Sequence, residues 1–206
     1  MRERTDVPVC PPGWYGGADA SGAVRVRLDA GGGDVAVELE RGWRTRVGAD
    51  GLGRAVVQAF AAACAARLAA WATGPARRPV DGVAPDAAPG PTSAAAAGER
   101  VRAVLRARRD LPEYARRLAE LHRAPAAVTS PCGRVRVTVA AGQVVAVEPD
   151  AAWIVTAGDP APALTGGLRA ALRTVAAVPE RALDGCPDLV DLLRGDDPAA
   201  AVRAVR

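Results

Sequence analysis

The sequence predicts an α+β protein built from two repeated units, each an antiparallel β-meander followed by an amphipathic helix, with a long helix ahead of the second. Three observations carry that reading. Gly22-Ala23-Val24-Arg25-Val26 recurs as Gly133-Arg134-Val135-Arg136-Val137 at an offset of 111. One residue is then lost in the turn, and Val35-Ala36-Val37-Glu38 recurs unchanged as Val145-Ala146-Val147-Glu148, with Trp43 opposite Trp153 and Gly48 opposite Gly158, at an offset of 110. After a short insertion, Leu52, Val56, Ala59 and Phe60 fall opposite Leu164, Leu168, Ala171 and Leu172. Similarity at a fixed period is the mark of an internal repeat.

Each element follows from local pattern. Val24, Val26 and Leu28 alternate with Arg25, Arg27 and Asp29, the two-residue period of a strand with one buried and one wet face. Gly31-Gly32-Gly33-Asp34 supplies the residues a tight hairpin needs, and 35–40 forms the return strand. In the second copy Val135, Val137 and Val139 alternate with Arg134, Arg136 and Thr138, Gly142 marks the turn, and 145–148 returns. A short further strand is expected before each hairpin, at 7–10 and at 127–129. Asp50 is placed to cap a helix in which Leu52, Val56, Phe60, Ala63, Cys64, Leu68 and Trp71 repeat every 3.6 residues. Its counterpart spans about 163–178, where Gly166 and Gly167 each lower helix propensity by roughly 1 kcal/mol.

Two contrasting segments separate the copies. Residues 73–98 are rich in proline, alanine and glycine without an apolar period, the composition of a flexible linker. In 99–123 the residues Val101, Val104, Leu105, Leu111, Ala115, Leu118, Leu121 and His122 form a near-heptad stripe. Asp110-Leu111-Pro112-Glu113 reads as a second capping box, so Pro112 either kinks one helix or separates two. The expected division is a first unit at 1–72, a linker at 73–98, a second unit with its leading helix at 99–179, and a tail at 180–206 with short helices near 189–194 and 199–206.

Composition narrows function by exclusion. The four cysteines, Cys10, Cys64, Cys132 and Cys186, are widely spaced with no Cys-x-x-Cys pair, and His122 is the only histidine, so no metal site is expected. Aromatic residues make up 3% of the chain, too few for a single-strand stacking platform. Met1 is followed by Arg2, Glu3, Arg4 and Asp6 rather than by an apolar run, and the alanine-rich stretch 55–71 is interrupted by Gln58 and Arg67. A cytoplasmic protein with reduced thiols and no membrane partner is the expectation. Catalysis lacks a constellation. His122 lies on an apolar stripe with no nucleophile motif beside it, and the Gly31-Gly32-Gly33-Asp34 run sits in a hairpin rather than before a helix, the wrong context for a phosphate loop. No enzyme activity and no cofactor are expected. Trp43 and Trp153 read as rings covering the seam between sheet and helix, and Cys64 as a small core residue.

The order of helix, compact meander reading Gly-x-Val-x-Val then Val-x-Val-Glu, and amphipathic helix resembles the YbaB/EbfC family of small bacterial nucleoid-associated DNA-binding proteins. In the second copy the resemblance rests on Gly133, Val135, Val137, Val139, Val145 and Val147. In the first it rests on Gly22, Val24, Val26, Leu28, Val35, Val37, Glu38 and the run from Arg41 through Gly42-Trp43-Arg44-Thr45-Arg46-Val47 to Leu52-Gly53. The resemblance implies α-β-β-β-α units that pair as a homodimer. Two units in one chain are then able to pair with each other as an intramolecular pseudo-dimer. The duplication, the proline-rich linker and the lack of a helix before the first copy depart from the family pattern.

The family's partner is DNA, and the charges can be compared with that expectation. All 27 basic residues are arginine, against 23 acids. The segment 99–123 holds Arg100, Arg102, Arg106, Arg108, Arg109, Arg116, Arg117 and Arg123 against four acids, so the whole surplus of +4 lies there. Such a surplus suits phosphate contact, with Arg41, Arg44 and Arg46 as a second cluster. A solvated helix whose arginines pair with Asp110, Glu113 and Glu120 one turn away accounts for the same residues. Arg25, Arg27, Arg134 and Arg136 are accounted for by cross-strand pairing with Glu38, Glu40 and Glu148. No helix-turn-helix, zinc finger or basic zipper is recognisable and there is no asparagine to read adenine, so any DNA binding is expected to be backbone-directed and non-specific. The competing expectation is a protein-interaction or scaffold module that keeps the fold without binding DNA. Self-association belongs to either reading.

Overall fold

The structure is a computed structural model that describes residues 13–73 and 94–194. It is a mixed α+β protein with two three-stranded antiparallel sheets. The chain divides into two compact units, one formed by 1–80 with 124–176 and the other by 81–123 with 177–206.

The first unit contains both sheets. Strands β1 (Trp14–Ala18), β2 (Val24–Asp29) and β3 (Val35–Leu39) pair in that order and are followed by a short helix α1 (Trp43–Arg46) and the long helix α2 (Leu52–Thr73). Strands β4 (Ala126–Thr129), β5 (Val135–Ala140) and β6 (Gln143–Pro149) repeat the arrangement, followed by α4 (Ala151–Thr156) and α5 (Ala161–Ala176); α3 (Ala94–Arg123) lies between the two halves in sequence. The strand expected at 7–10 lies outside the described residues, and Trp14–Ala18 takes the place beside β2.

Equivalent backbone hydrogen bonds recur in the two halves. Asp19 N–H donates to Val24 O, Gly22 N–H to Asp19 O, and Glu40 N–H to Ala23 O. Their counterparts are Ser130 N–H to Val135 O, Gly133 N–H to Ser130 O, and Asp150 N–H to Arg134 O. At the turn before β2 the Asp19 carboxylate accepts the Val24 amide at 2.7 Å, and at the turn before β5 the Ser130 hydroxyl accepts the Val135 amide at 3.0 Å. Both side chains are buried, where an unpaired amide would cost about 1–3 kcal/mol.

The alternating valines point to one core. Val24, Val26, Leu28, Val35 and Val37 from the first sheet join Val135, Val137, Val139, Val144 and Val147 from the second in a single apolar cluster with both long helices. Those helices pack crosswise. Helix α2 lies on β1 and β2 of its own half and on β6 of the other, while α5 lies on β4 and β5 and on β3. Gly53 and Thr165, at equivalent places in α2 and α5, make the crossing contacts. A Cβ on Gly53 would overlap the Val147 carbonyl oxygen, and Thr165 Oγ1 accepts the Val37 amide at 3.0 Å. Gly17 plays a comparable part on β1, where a Cβ would collide with the α2 backbone at Ala59 and Ala63.

Several local expectations change for physical reasons. Val145 is exposed because β6 shifts register opposite Thr138 and Val139, so Val144 pairs with Val139 and takes the inward place. The β5–β6 turn uses left-handed backbone at both Ala141 and Gly142, the pattern of a two-residue hairpin turn. Gly166 and Gly167 do not delay α5. Gly167 instead lets the helix approach Val135 and Val137, so packing outweighs propensity. Helix α2 is the one described helix long and apolar enough to cross a membrane by length and composition. Leu52, Ala55, Val56, Ala59, Phe60 and Ala63 on its first three turns are buried in the core.

In the second unit α3 is one helix of 30 residues that runs through Pro112 and begins inside the segment read as a linker. It packs on α6 (Val178–Ala182) and α7 (Pro187–Arg194). Asp110 does not cap its own helix. Its carboxylate accepts the Leu189 amide at 3.1 Å, in the first turn of α7. The helix expected at 199–206 lies outside the described residues.

Two outcomes test this packing. In an open helix Gly→Ala gains about 1 kcal/mol; Gly53→Ala should instead lower stability by about 1–3 kcal/mol in urea unfolding because the new methyl meets backbone, whereas Gly98→Ala, with open space around it, should not. Burial would raise the Asp19 carboxyl, but the Ser21 hydroxyl and the Val24 and Ser21 amides outweigh it and hold it below the ordinary carboxylate value. A depressed folded-state value stabilises above the unfolded value of roughly 4 and is lost as pH falls through the folded one. Asp19→Asn should therefore be less stable at neutral pH, and should lose less stability than the parent between about pH 5 and pH 2.

Candidate nucleic-acid interface

Helix α3 carries the densest set of arginines, and its geometry sorts them. At 3.6 residues per turn, Arg102, Arg106, Arg109, Arg116, Arg117 and Arg123 fall within an arc of about 120°. Arg102, Arg109, Arg116 and Arg123 recur every seventh residue, about 10.5 Å apart along the axis. Arg108 is on another side, in an apolar groove with Val104, Leu105 and Leu111. Arg100 lies on the same helix.

The C-terminal half of the arc is largely neutralised. Arg116 donates to Glu113 at 2.6 and 2.9 Å and to Glu120 at 2.6 Å. Those bonds hold the Glu113 carboxyl below its ordinary value and push the Arg116 guanidinium up. Arg123 turns back to the Ala119 carbonyl at 3.1 Å, and Arg117 lies against Gly185. In the N-terminal half Arg106 approaches Asp188 of α7 at 3.6 Å. Among the described residues no acid lies within ion-pair distance of Arg102 or Arg109, both exposed. Helices α6 and α7 and the turn between them contribute Glu180, Asp184, Asp188 and Asp191 against Arg181 and Arg194, which reduces the local surplus of α3.

The second cluster belongs to the first unit and has different work. Trp43 is 5% exposed, with the Arg44 guanidinium 4.7 Å from its ring centroid. The same guanidinium donates to Ile154 O at 3.1 Å and to Ala157 O, the carbonyl end of α4, where a cation also opposes the helix dipole. Arg44 and Ile154 are equivalent positions of the repeat, so α1 and α4 meet where like parts face each other. Arg46 folds back to the Arg41 carbonyl at 3.5 Å, and Arg41 is exposed. The role of Arg44 was hidden in the sequence, since α1 and α4 are too short to show periodicity. The recurrence of Trp43 at Trp153 was the available signal.

The pairing of the strand arginines agrees with the cross-strand expectation for Arg25 and Arg27 but not for the second copy, where Arg134 takes Asp150 instead of Glu148 and no ion pair joins Arg136 to Glu148 among the described residues. Arg25 meets Glu40 at 3.3 Å, Arg27 meets Glu38, and Arg134 meets Asp150 at 3.2 Å. Arg27 also lies 5.8 Å from the exposed Trp14 ring. His122 is exposed on α3. Cys64 packs partly against the core, where burial pushes its thiol up; the Ser130 hydroxyl draws the exposed Cys132 thiol down. Among the described residues no group of three or more His, Cys, Asp or Glu side chains could hold a metal ion.

If Arg44 serves the fold, Arg44→Ala should cost about 1–2 kcal/mol in thermal unfolding, whereas Arg41→Ala should stay within about 0.5 kcal/mol. No family model, curated protein or solved structure matches the chain.

Proposed function

We propose that the chain is a non-catalytic, cytoplasmic protein of YbaB/EbfC type, two fused units forming an intramolecular pseudo-dimer, that binds duplex DNA through its phosphate backbone. The recurring hydrogen bonds and the crosswise packing of α2 and α5 support the pairing of two like halves. The observation that carries the DNA reading is the arginine arc of α3, with Arg102 and Arg109 exposed and unneutralised among the described residues and Arg106 beside them. Two arginines whose backbone positions are about 10.5 Å apart along one helix axis can each displace counterions without reading base identity. Arg116, held by Glu113 and Glu120, is the weaker candidate, and Arg44 and Arg46 are engaged by backbone carbonyls.

A second reading, a protein-interaction module on the same fold, is favoured by Val101, Leu105 and Leu111, which are exposed along α3. Fluorescence anisotropy on random duplex DNA at two salt concentrations separates the two. The DNA reading expects affinity that falls steeply with salt, with a slope reduced by about 1 for each of Arg102→Ala and Arg109→Ala. It is overturned if no binding occurs at about 50 mM salt.

A further inference from the structure

Helix α7 lies against one edge of the arginine arc of α3 and is lightly attached there. The chain is anchored ahead of it, where Val178 and Ala182 of α6 and Cys186 just before α7 are buried. Helix α7 itself has no buried residue, and Leu189 and Leu192 only line an open space beside Val104 and Leu111. Polar contacts tie it to α3: the Leu189 amide donates to the Asp110 carboxylate at 3.1 Å, and the Asp188 carboxylate stands 3.6 Å from the Arg106 guanidinium. The turn ahead of α7 reaches Arg117, whose guanidinium a Cβ on Gly185 would meet. Arg106 and Arg117 form the edge of the arc on this side, and Arg106 is one helical turn from both Arg102 and Arg109.

We infer that α7 is an autoinhibitory strap, in which Asp188 withholds Arg106 from DNA in the free chain until a phosphate displaces it. The inference rests on the DNA reading of the arc. A duplex backbone held by Arg102 and Arg109 comes within reach of Arg106, but that guanidinium already faces Asp188, so an approaching phosphate meets a second anion there. The pair is half-exposed on both sides and long, and such pairs contribute little. A phosphate, which accepts bidentate charge-assisted hydrogen bonds from arginine, is able to replace the carboxylate. Without the Asp188 pair, α7 keeps the Asp110–Leu189 bond and an incomplete apolar contact, the properties of a segment that opens locally at small cost. Asp191 carries the same charge on the same helix, is exposed, and makes no ion pair with α3 among the described residues, so it separates the effect of position from that of charge alone.

The test is fluorescence anisotropy of the full chain on random duplex DNA between about 50 and 200 mM salt. Asp188→Asn should tighten binding about two- to fivefold and steepen the salt slope by about 1, as Arg106 joins the contact. Asp191→Asn should change affinity by less than about twofold. In an Arg106→Gln background, Asp188→Asn should gain no more than Asp191→Asn does, which would not follow if Asp188 acted only on the helix dipole of α7. Hydrogen exchange supplies a second readout: the Leu189 and Val190 amides, bonded to Asp110 and to the Cys186 carbonyl, should exchange faster with DNA bound than without it. Circular dichroism confirms that each variant is folded. Equal affinities of the Asp188→Asn and Asp191→Asn variants, a gain from Asp188→Asn that persists beside Arg106→Gln, or unchanged or slower exchange in α7 overturns the strap and leaves the DNA reading standing. No binding by the parent or either single variant at about 50 mM salt overturns the DNA reading and the strap with it.

Discussion

The crossing of two helices between two small sheets is the constraint on which the first unit depends. A three-stranded sheet with one apolar face cannot remove that face from water alone, and a single helix covers only part of it. Here α2 covers β1 and β2 and extends over β6, while α5 covers β4 and β5 and extends over β3. Each half therefore completes the other's core. Backbone-level contacts at Gly53 against Val147 and Thr165 against Val37 leave little tolerance for a shift of either helix. Arg44, bonded to the carbonyl end of α4, closes the same assembly at its short helices.

This division of labour separates stability from candidate function. Apolar contacts and buried turn caps organise the sheets, and Arg25 and Arg27 of β2, with Arg134 just before β5, are spent on neighbouring carboxylates. The long helix α3 combines three environments around its circumference. One side meets α6 and α7, one carries the arginine arc, and one is apolar with Arg108 in it. The three overlap: Arg106 of the arc approaches Asp188 of α7, Arg117 lies against Gly185, and Leu189 and Leu192 of α7 line the apolar side.

Much of this could be read from residue order, and the failures have identifiable causes. The alternation of Val24, Val26 and Leu28 with arginine and aspartate placed β2 correctly, because a two-residue period with one wet face has few other meanings. The stripe from Leu52 marked α2 for a similar reason. The second return strand is read from 145 although it begins at Gln143, because the register shift that brings Val144 inward leaves no trace in composition. Asp110 was assigned to its own helix because capping boxes are local patterns, whereas its actual partner, the Leu189 amide, is 79 residues away. The arginine surplus of α3 was visible, but the carboxylates that reduce it include Asp188, which only the folded chain brings near. Long-range pairing is what a single sequence conceals.

The most direct test of the account is native-state hydrogen exchange in the first unit. If the crossing helices make one cooperative core, the amides of Val26 and Val37 should open with the same free energy as those of Val137 and Val147, within about 0.5 kcal/mol. Leu168→Ala, which removes a buried α5 side chain, should then lower protection in both sheets together by about 2–5 kcal/mol. Loss of protection confined to β4, β5 and β6, with the first sheet unchanged, would contradict it.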